Sequence, residues 1–363
     1  MSMSKVNSRW GLRRMGVLAG LMLVAMAYGD TASAADIDPK WQPSKVVTGV
    51  ATGTTSTGYV SGNAMFGAIT QQTGVDFRLV PLERSPEQAL GLKHQTGEFG
   101  IWYAAIVLQA LTGSITFEKL NLPPQSVRTL WNGGDLTQGL VTRGDSGIKT
   151  MADLKGARVV SYKGDPALNS YYMVAALAYA GLTWDDVKPI PVGGYGAALR
   201  AILDGSADVA FSSTPSGQMF ELEASIHGIH WIPMPAQETE AWARFHKVNP
   251  SFYPQPATIG AGLSKENPIP LWAYNYQLVA YDWQDPQLAY WLTKQVAEQY
   301  DNYKDTHAYL QRWTVDHALR VNSWFIPWHE GSVQYLKDAG LWTQEMNEKQ
   351  QELLKRFPQT MTK

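Results

Sequence analysis

Residues 45–59 read Lys45-Val-Val-Thr-Gly-Val-Ala-Thr-Gly-Thr-Thr-Ser-Thr-Gly-Tyr59. A β-branched run passes into a Gly/Thr/Ser turn, and a helical pattern follows over 62–72. Working outward, Val75 to Val80 reads as a second strand and Ser85 to His94 as a helix. That helix opens on Ser85-Pro86-Glu87-Gln88, with a capping Ser, Pro in the first turn and Gln three residues on. Phe99-Gly-Ile-Trp-Tyr103 is a third short strand. This βαβαβ rhythm predicts an α/β fold, with a mostly parallel sheet and helices on both faces.

The rhythm restarts downstream. Strands are predicted at Ala157–Ser161, Ile190–Val192 and Asp208–Phe211, with helices over Pro166–Ala180 and Tyr195–Leu203 between them. Gly181 and Gly205 stop those helices. Two copies of one plan imply two doubly wound lobes. Crossovers between them are expected near Gly139-Leu-Val-Thr142 and Pro256-Ala-Thr-Ile-Gly260. Lobe I is then 45–141 plus 260–363 and lobe II is 142–259. The Pro-rich run Asn249–Pro256 reads as an extended strap entering the return crossover. From Trp272 onward the text reads as mainly helical, closing with a helix over Thr343–Phe357.

The 363 residues suit about two domains, and 45% hydrophobic with 17% charged residues excludes wholesale disorder. A basic stretch (Lys5, Arg9, Arg13, Arg14), an apolar run Met15–Ala27 and Ala32-Ser-Ala34 form a cleavable export signal over 1–34. Arg13-Arg14 lacks the bulky apolar pair that twin-arginine export prefers. Removing the signal leaves 26 basic against 31 acidic residues, a net charge of −5. That balance argues against a nucleic-acid binder. The expected location is the periplasm. The absence of Cys excludes disulfides, Cys-ligated metal and a thiol nucleophile.

Several stretches together resemble the TAXI-type solute receptors of TRAP transporters. They are Thr48 to Tyr59, Ser85-x-x-Gln88, Gly97-Glu-Phe-Gly-Ile101, Asp145-Ser-Gly-Ile…Asp153-Leu-Lys-Gly156, Leu203-Asp-Gly-Ser-Ala-Asp208 and Pro327-Trp-His-Glu-Gly-Ser-Val-Gln-Tyr335. The resemblance covers nearly all of the chain beyond the signal. It implies a periplasmic-binding-protein-like fold of type II, with a ligand cleft between the lobes. It also implies a sodium-driven permease as partner, and ligands such as glutamate or 2-oxoglutarate. Two departures fall on segments that would touch the solute. Gln88 stands where the family has Asn, and Lys163-Gly-Asp-Pro166 where it has Gly-Ser-Gly-Thr.

The candidate ligand residues follow from strand ends and helix starts. In the turn Gly53–Tyr59, Thr54, Thr55, Ser56 and Thr57 offer hydroxyls and backbone N–H groups at the positive end of a helix, suited to a carboxylate. Tyr59 and Val60 replace the Lys and Ser/Thr of a nucleotide-binding loop, which removes an ATPase reading. Arg84, ahead of Ser85 and Gln88, could hold a carboxylate with two parallel hydrogen bonds, or pair with neighbouring Glu on the surface. Trp102 and Tyr103 are a candidate wall or ordinary core. Lys163, Gly164, Asp165 and Asn169 form the second lobe's counterpart turn, in which Asp165 is also a natural helix cap. Ser212, Ser213 and Thr214 follow a lobe II strand. No nucleophile elbow and no zinc-protease spacing is present, so neither catalytic residues, metal ligands nor a cofactor is expected. The reading is a monomeric receptor that closes on a small anionic solute without chemistry. The alternatives are a binding protein serving a sensor kinase, one serving an ATP-driven importer of the pyrimidine-precursor type, and a secreted hydrolase.

Overall fold

The computed structural model describes residues 37–54, 56–82, 85–163 and 168–358, without the side chains of Ser85, Pro86 and Thr116. The export signal, Thr55, Arg84, Gly164 and Asp165 lie outside the described residues. Among the described residues no helix is long and apolar enough to cross a membrane.

The opening βαβαβ unit forms as expected. Strands β1 (Val46–Ala51), β2 (Asp76–Pro81) and β3 (Phe99–Tyr103) are parallel, and helices α1 (Thr57–Thr73), α2 (Ser85–Lys93) and α3 (Ala104–Thr112) follow them in turn. The side chain of Ser56 caps α1 by accepting the Tyr59 N–H at 3.1 Å, and Gly74 ends it with φ of 71°. The inner face of α1 carries Gly58, Ser61, Gly62, Met65, Phe66 and Ile69, the i, i+3/i+4 spacing of one buried stripe. The small residues at its start let the helix lie close to the sheet. At Gly62 a Cβ would stand 2.3 Å from Ile101 Cδ1. Phe66 fills the other end, stacked on Phe77 at 4.4 Å and tilted on Phe99 at 5.0 Å.

Beyond this unit come β4 (Val127–Arg143), β5 (Arg158–Tyr162), β6 (Lys188–Val192), β7 (Ala210–Ser213), β8 (Ile229–Trp231), β9 (Tyr253–Ala257) and β10 (Ile269–Tyr281). The main sheet has the order β2-β1-β3-β10-β4-β7, with β8 on β4 and β9 on β10. Strands β5 and β6 pair in parallel, and the bridge Val159–Val209 ties them to the segment leading into β7. The fold class is α/β. The Pro-rich strap is extended, as expected, and becomes the edge strand β9, where prolines are tolerated.

One expectation is overturned. Residues from Trp272 read as helical, yet 269–281 is a thirteen-residue strand that pairs antiparallel with both β3 and β4. Eleven of its residues are buried and the other two half-buried, so the strand lacks the polar/apolar alternation that marks a one-sided strand. Helices follow it at Pro286–Glu298, Glu330–Asp338 and Gln344–Arg356. Nor does the sequence announce β4 as a seventeen-residue strand. The two expected crossover segments lie within β4 opposite β7 and at the end of β9.

Strands β4 and β10 run side by side through the whole sheet. Opposite their midpoint lies the one-turn helix Ala308–Arg312. Its approach dictates Gly133-Gly134, since a Cβ on Gly134 would stand 2.1 Å from both Arg312 Cβ and the Arg312 carbonyl oxygen. The Tyr309 hydroxyl donates to the Gly134 carbonyl at 2.6 Å and accepts the Tyr276 N–H at 3.2 Å, locking segment to strand pair.

Gly134→Ala is therefore expected to destabilise the protein by about 3 kcal/mol or more. Gly67→Ala, in α1 with open space around its Cβ, should be neutral or stabilising by about 0.5–1 kcal/mol. Urea midpoints of the two variants check the contrast. Equal stability would show that the segment does not press on the strand.

Candidate functional site

The carboxyl ends of β1 and β3, where ligands gather in open α/β sheets, face the start of α1 and the middle of β10. Gly58 lies in the first turn of α1, and a Cβ there would stand 2.6 Å from the Tyr276 ring. The Tyr276 ring also lies beside that of Tyr274, with centroids 5.8 Å apart. Tyr276 stands opposite Tyr103 of β3 in the strand register, their rings meeting edge to face at 6.2 Å.

From Tyr274 the contacts continue into the middle third of the chain. Gln138 of β4 donates to the Tyr274 hydroxyl at 3.2 Å and to Ser213 Oγ at 2.9 Å. Tyr195 accepts the Ser213 N–H at 2.9 Å and lies 2.9 Å from Ser212 Oγ. Tyr172 closes the side, stacked on Phe211 at 4.6 Å and edge-on to Tyr274 at 6.3 Å. A polar relay therefore runs from Tyr195, Ser212 and Ser213 through Gln138 to Tyr274, and the Tyr276 ring packs between Tyr274 and the start of α1.

The structure brings Ser56, Thr57, Tyr103, Ser212 and Ser213 to this cluster or onto the elements that carry it. Thr54 is exposed in the same turn, and Tyr59 is half-buried one turn into α1. Gln88 is fully buried and donates to the Leu82 carbonyl at 2.8 Å, fixing α2 to the end of β2. Trp102 is fully buried, and strand alternation sends it to the face opposite Tyr103. Lys163 is exposed after β5. Asn169 accepts the Tyr162 N–H at 3.2 Å. Thr214 bonds Thr137 and the Ile259 carbonyl, both at 2.8 Å, which ties β7 to the segment after β9. The sequence reading missed Tyr195, Gln138, Tyr274 and Tyr276. The period-2 run Trp272-x-Tyr274-x-Tyr276 was the available signal for the last two.

Burial pushes the phenols of Tyr274 and Tyr276 up, Tyr276 to about 12. Both remain protonated donors at neutral pH. Beside them, in the middle of β4, sits Asp135, a buried carboxylate. Its Oδ1 accepts the Tyr253 hydroxyl at 2.5 Å, and its Oδ2 lies 3.1 Å from Arg320 Nη1 and 3.6 Å from His317 Nε2. Burial alone would raise its pKa. The hydrogen bonds from His317 and Tyr253 and the Arg320 charge outweigh that and hold it at about 2.

Elsewhere His227 Nδ1 pairs with Asp145 at 2.6 Å, and His230 bonds the Lys149 carbonyl at 3.0 Å. A surface pocket of about 650 Å³ lies by the amino ends of β1 and β3, lined by residues including Trp41, Glu98, Trp283 and Asp285. It opens at the end of the strands opposite the phenol cluster. Asp285 caps a helix there by accepting the Gln287 N–H, and Glu98 accepts the Thr48 N–H, so both acids are engaged in structure.

Residues 50–340 match the NMT1-like family. The chain belongs to that family. Solved structures similar to this NMT1-like chain include the periplasmic aliphatic sulphonate binding protein SsuA of Escherichia coli, at 15% identity and a TM-score of 0.45, covering 89% of this chain and 82% of that one. Another is the open substrate-binding domain 2 of Lactococcus lactis GlnP, at 11% identity and a TM-score of 0.41, covering 75% and 97%. A third is the unliganded L-cystine solute receptor of Neisseria gonorrhoeae, at 18% and 0.39, covering 76% and 95%. Among curated proteins no match was found.

The Asp135 carboxyl is depressed from its ordinary 3.8 to about 2, so its stabilisation is complete above 3.8 and fades as pH falls through about 2. Asp135→Asn should remove that component. The stability gap between wild type and variant should shrink by roughly 2 kcal/mol between pH 5 and pH 2. Chemical denaturation at the two pH values checks it. A constant gap would show that the charge is not what Tyr253 and Arg320 hold.

Proposed function

We propose that this NMT1-like protein is an extracytoplasmic solute receptor that captures a small carboxylate by hinge closure and does no chemistry on it. The observation that carries the reading is the relay from Tyr195 and Ser213 through Gln138 to Tyr274, against which Tyr276 packs at the start of α1. It joins side chains from the two βαβ sections across the two long strands. In this reading the sections are the lobes, 45–141 plus 260–363 and 142–259. Strands β4 and β10 are the connections about which they rotate. The periplasmic-binding-protein-like arrangement supports it, because the cleft then falls at the carboxyl ends of β1 and β3.

Within the NMT1-like family, the motifs at 48–59, 97–101, 145–156 and 327–335 favour the TAXI-type receptor. The proposed partner is accordingly a TRAP-type permease, and the proposed location the periplasm after removal of residues 1–34. An ATP-driven importer or a sensor kinase would use the same clamp. Arg84 and the Thr54–Thr57 turn are the proposed anion anchors, with Tyr103 as a wall and Lys163 and Asp165 as further proposed contacts.

The mechanism is a population shift. Solute that contacts both lobes binds only the closed form and stabilises it by the difference in affinity. The closed form then presents a joint surface to the membrane partner.

Thermal-shift measurements on the exported chain, against a panel of mono- and dicarboxylates and amino acids, test this. At a hundredfold excess over Kd a true ligand adds about 2.7 kcal/mol, a rise of several degrees in Tm. Arg84→Ala should reduce the rise. Turnover of the best ligand on prolonged incubation, or a flat response across the panel, would sink the proposal.

A further inference from the structure

Thr112, Ser114 and Tyr171 form a chain of hydroxyls that joins the two βαβ sections outside the strand ladder. The Thr112 hydroxyl donates its only proton to the Leu108 carbonyl at 2.7 Å. Ser114 Oγ, 2.7 Å from Thr112 Oγ1, is therefore the donor to Thr112. Tyr171, whose hydroxyl lies 2.9 Å from Ser114 Oγ, is in turn the donor to Ser114. The Tyr171 proton is thus the one that crosses between residues 57 apart in the chain. Gln138 to Ser213, Thr137 to Thr214 and Tyr253 to Asp135 also join the sections, but each passes through β4 or β9. The Ser114–Tyr171 bond uses no residue of either strand.

Each end is held by its own section. Tyr171 lies in a wide π-helical turn, Leu168–Met173, a form that recurs at functional sites. Its carbonyl accepts the amide of fully buried Asn249 at 2.9 Å, and its neighbour Tyr172 is stacked on Phe211. Ser114 follows Gly113, at φ of 61°, and precedes Ile115, at φ of 55°. A β-branched residue in the left-handed region is strained, and such strain persists only where neighbouring contacts fix the chain. Here the Phe117 N–H donates to the Ser114 carbonyl at 3.1 Å, and the Phe117 side chain is fully buried. The contact between the two anchors is of another kind. Ser114 and Tyr171 are both half-buried, so water can replace either partner once they separate. A neutral bond of this sort is reversible, and it shifts a two-state balance by about two- to tenfold.

We propose that Ser114 and Tyr171 are a latch between the two sections, made when they lie together and broken as they rotate about β4 and β10. The latch sets the affinity for solute without touching it. The proposal rests on the receptor reading above and adds a control point to it. The chain has no Cys, so spin labels on Gln72→Cys and Ile226→Cys, exposed positions of the two sections, report their separation without other labelled sites. Pulsed electron paramagnetic resonance on the solute-free exported chain measures the ratio of long to short distances. Tyr171→Phe keeps the ring and removes the crossing proton, and Ser114→Ala removes its acceptor. Each should raise that ratio by about two- to tenfold while Tm stays within a few degrees. The double variant should shift it no further than the larger single change, because both act through one bond. Fully additive shifts would overturn the latch, since the two residues would then act separately. A ratio unchanged in both variants, or a single distance throughout, would also overturn it. The receptor reading then stands or falls on the carboxylate panel alone.

Discussion

Two antiparallel strands, β4 and β10, hold this molecule in one piece. Each is buried almost throughout, and between them they contact the opening βαβ unit at β3, the later strands at β7 and β8, and the edge at β9. A strand pair of this length twists and does not bend freely, so the two sections it joins can move mainly where the ladder is interrupted. The register shifts between Asn275 and Gln277, next to the stretch facing Gly133-Gly134. A local break in the ladder is where a sheet re-aims its side chains. Here the re-aimed residue is Tyr276, which faces the start of α1.

The polar groups along this seam follow from that geometry. A carboxylate as buried as Asp135 is unfavourable unless paired, and a well-packed apolar residue would stabilise as much or more. Its partners come from three separate pieces of chain: Tyr253 from the edge strand, His317 and Arg320 from the C-terminal third, and Asn275 through the shared Tyr253 hydroxyl at 2.6 Å. Asp135 therefore specifies how those pieces meet more than it adds stability. The same holds for Gln138, whose three hydrogen bonds join β7, Tyr274 and Trp272 and fix the relay in one arrangement.

The sequence was legible where local rules suffice. Ser56 caps α1, Gly74 stops it, and the stripe from Gly58 to Ile69 gives its period, all without reference to distant residues. The first three strands were readable because each is short and bracketed by helix signals. β10 was not, since burial on both faces erases alternation and its Trp/Tyr-rich text suits a packed helix as well as a strand. The site divided in the same way. Residues at strand ends and helix starts, such as Ser56, Tyr103 and Ser213, could be named from position alone. Gln138 and Tyr195 owe their place to pairings about 20 to 140 residues apart in the chain, which no local pattern carries, while Tyr274 and Tyr276 left only the short period-2 run of β10 as a local sign. Gln88 and Trp102 show the reverse case, since side chains in promising positions are turned into the core by the pitch of their own elements.

The relay also bears on how closure is balanced. On the proposed reading the relay's members satisfy one another, so closing without solute would leave few unpaired buried groups. The penalty for empty closure would then be modest, and proposed open and closed forms would lie within the few kcal/mol that a ligand can switch. A relay ending in a fixed cation would instead resist empty closure strongly, because a buried unpaired charge is far more costly than an unpaired hydroxyl. Neutral donors would thus permit recognition of the proposed carboxylate while keeping the two proposed forms near balance, so that a small ligand's binding free energy suffices to shift them.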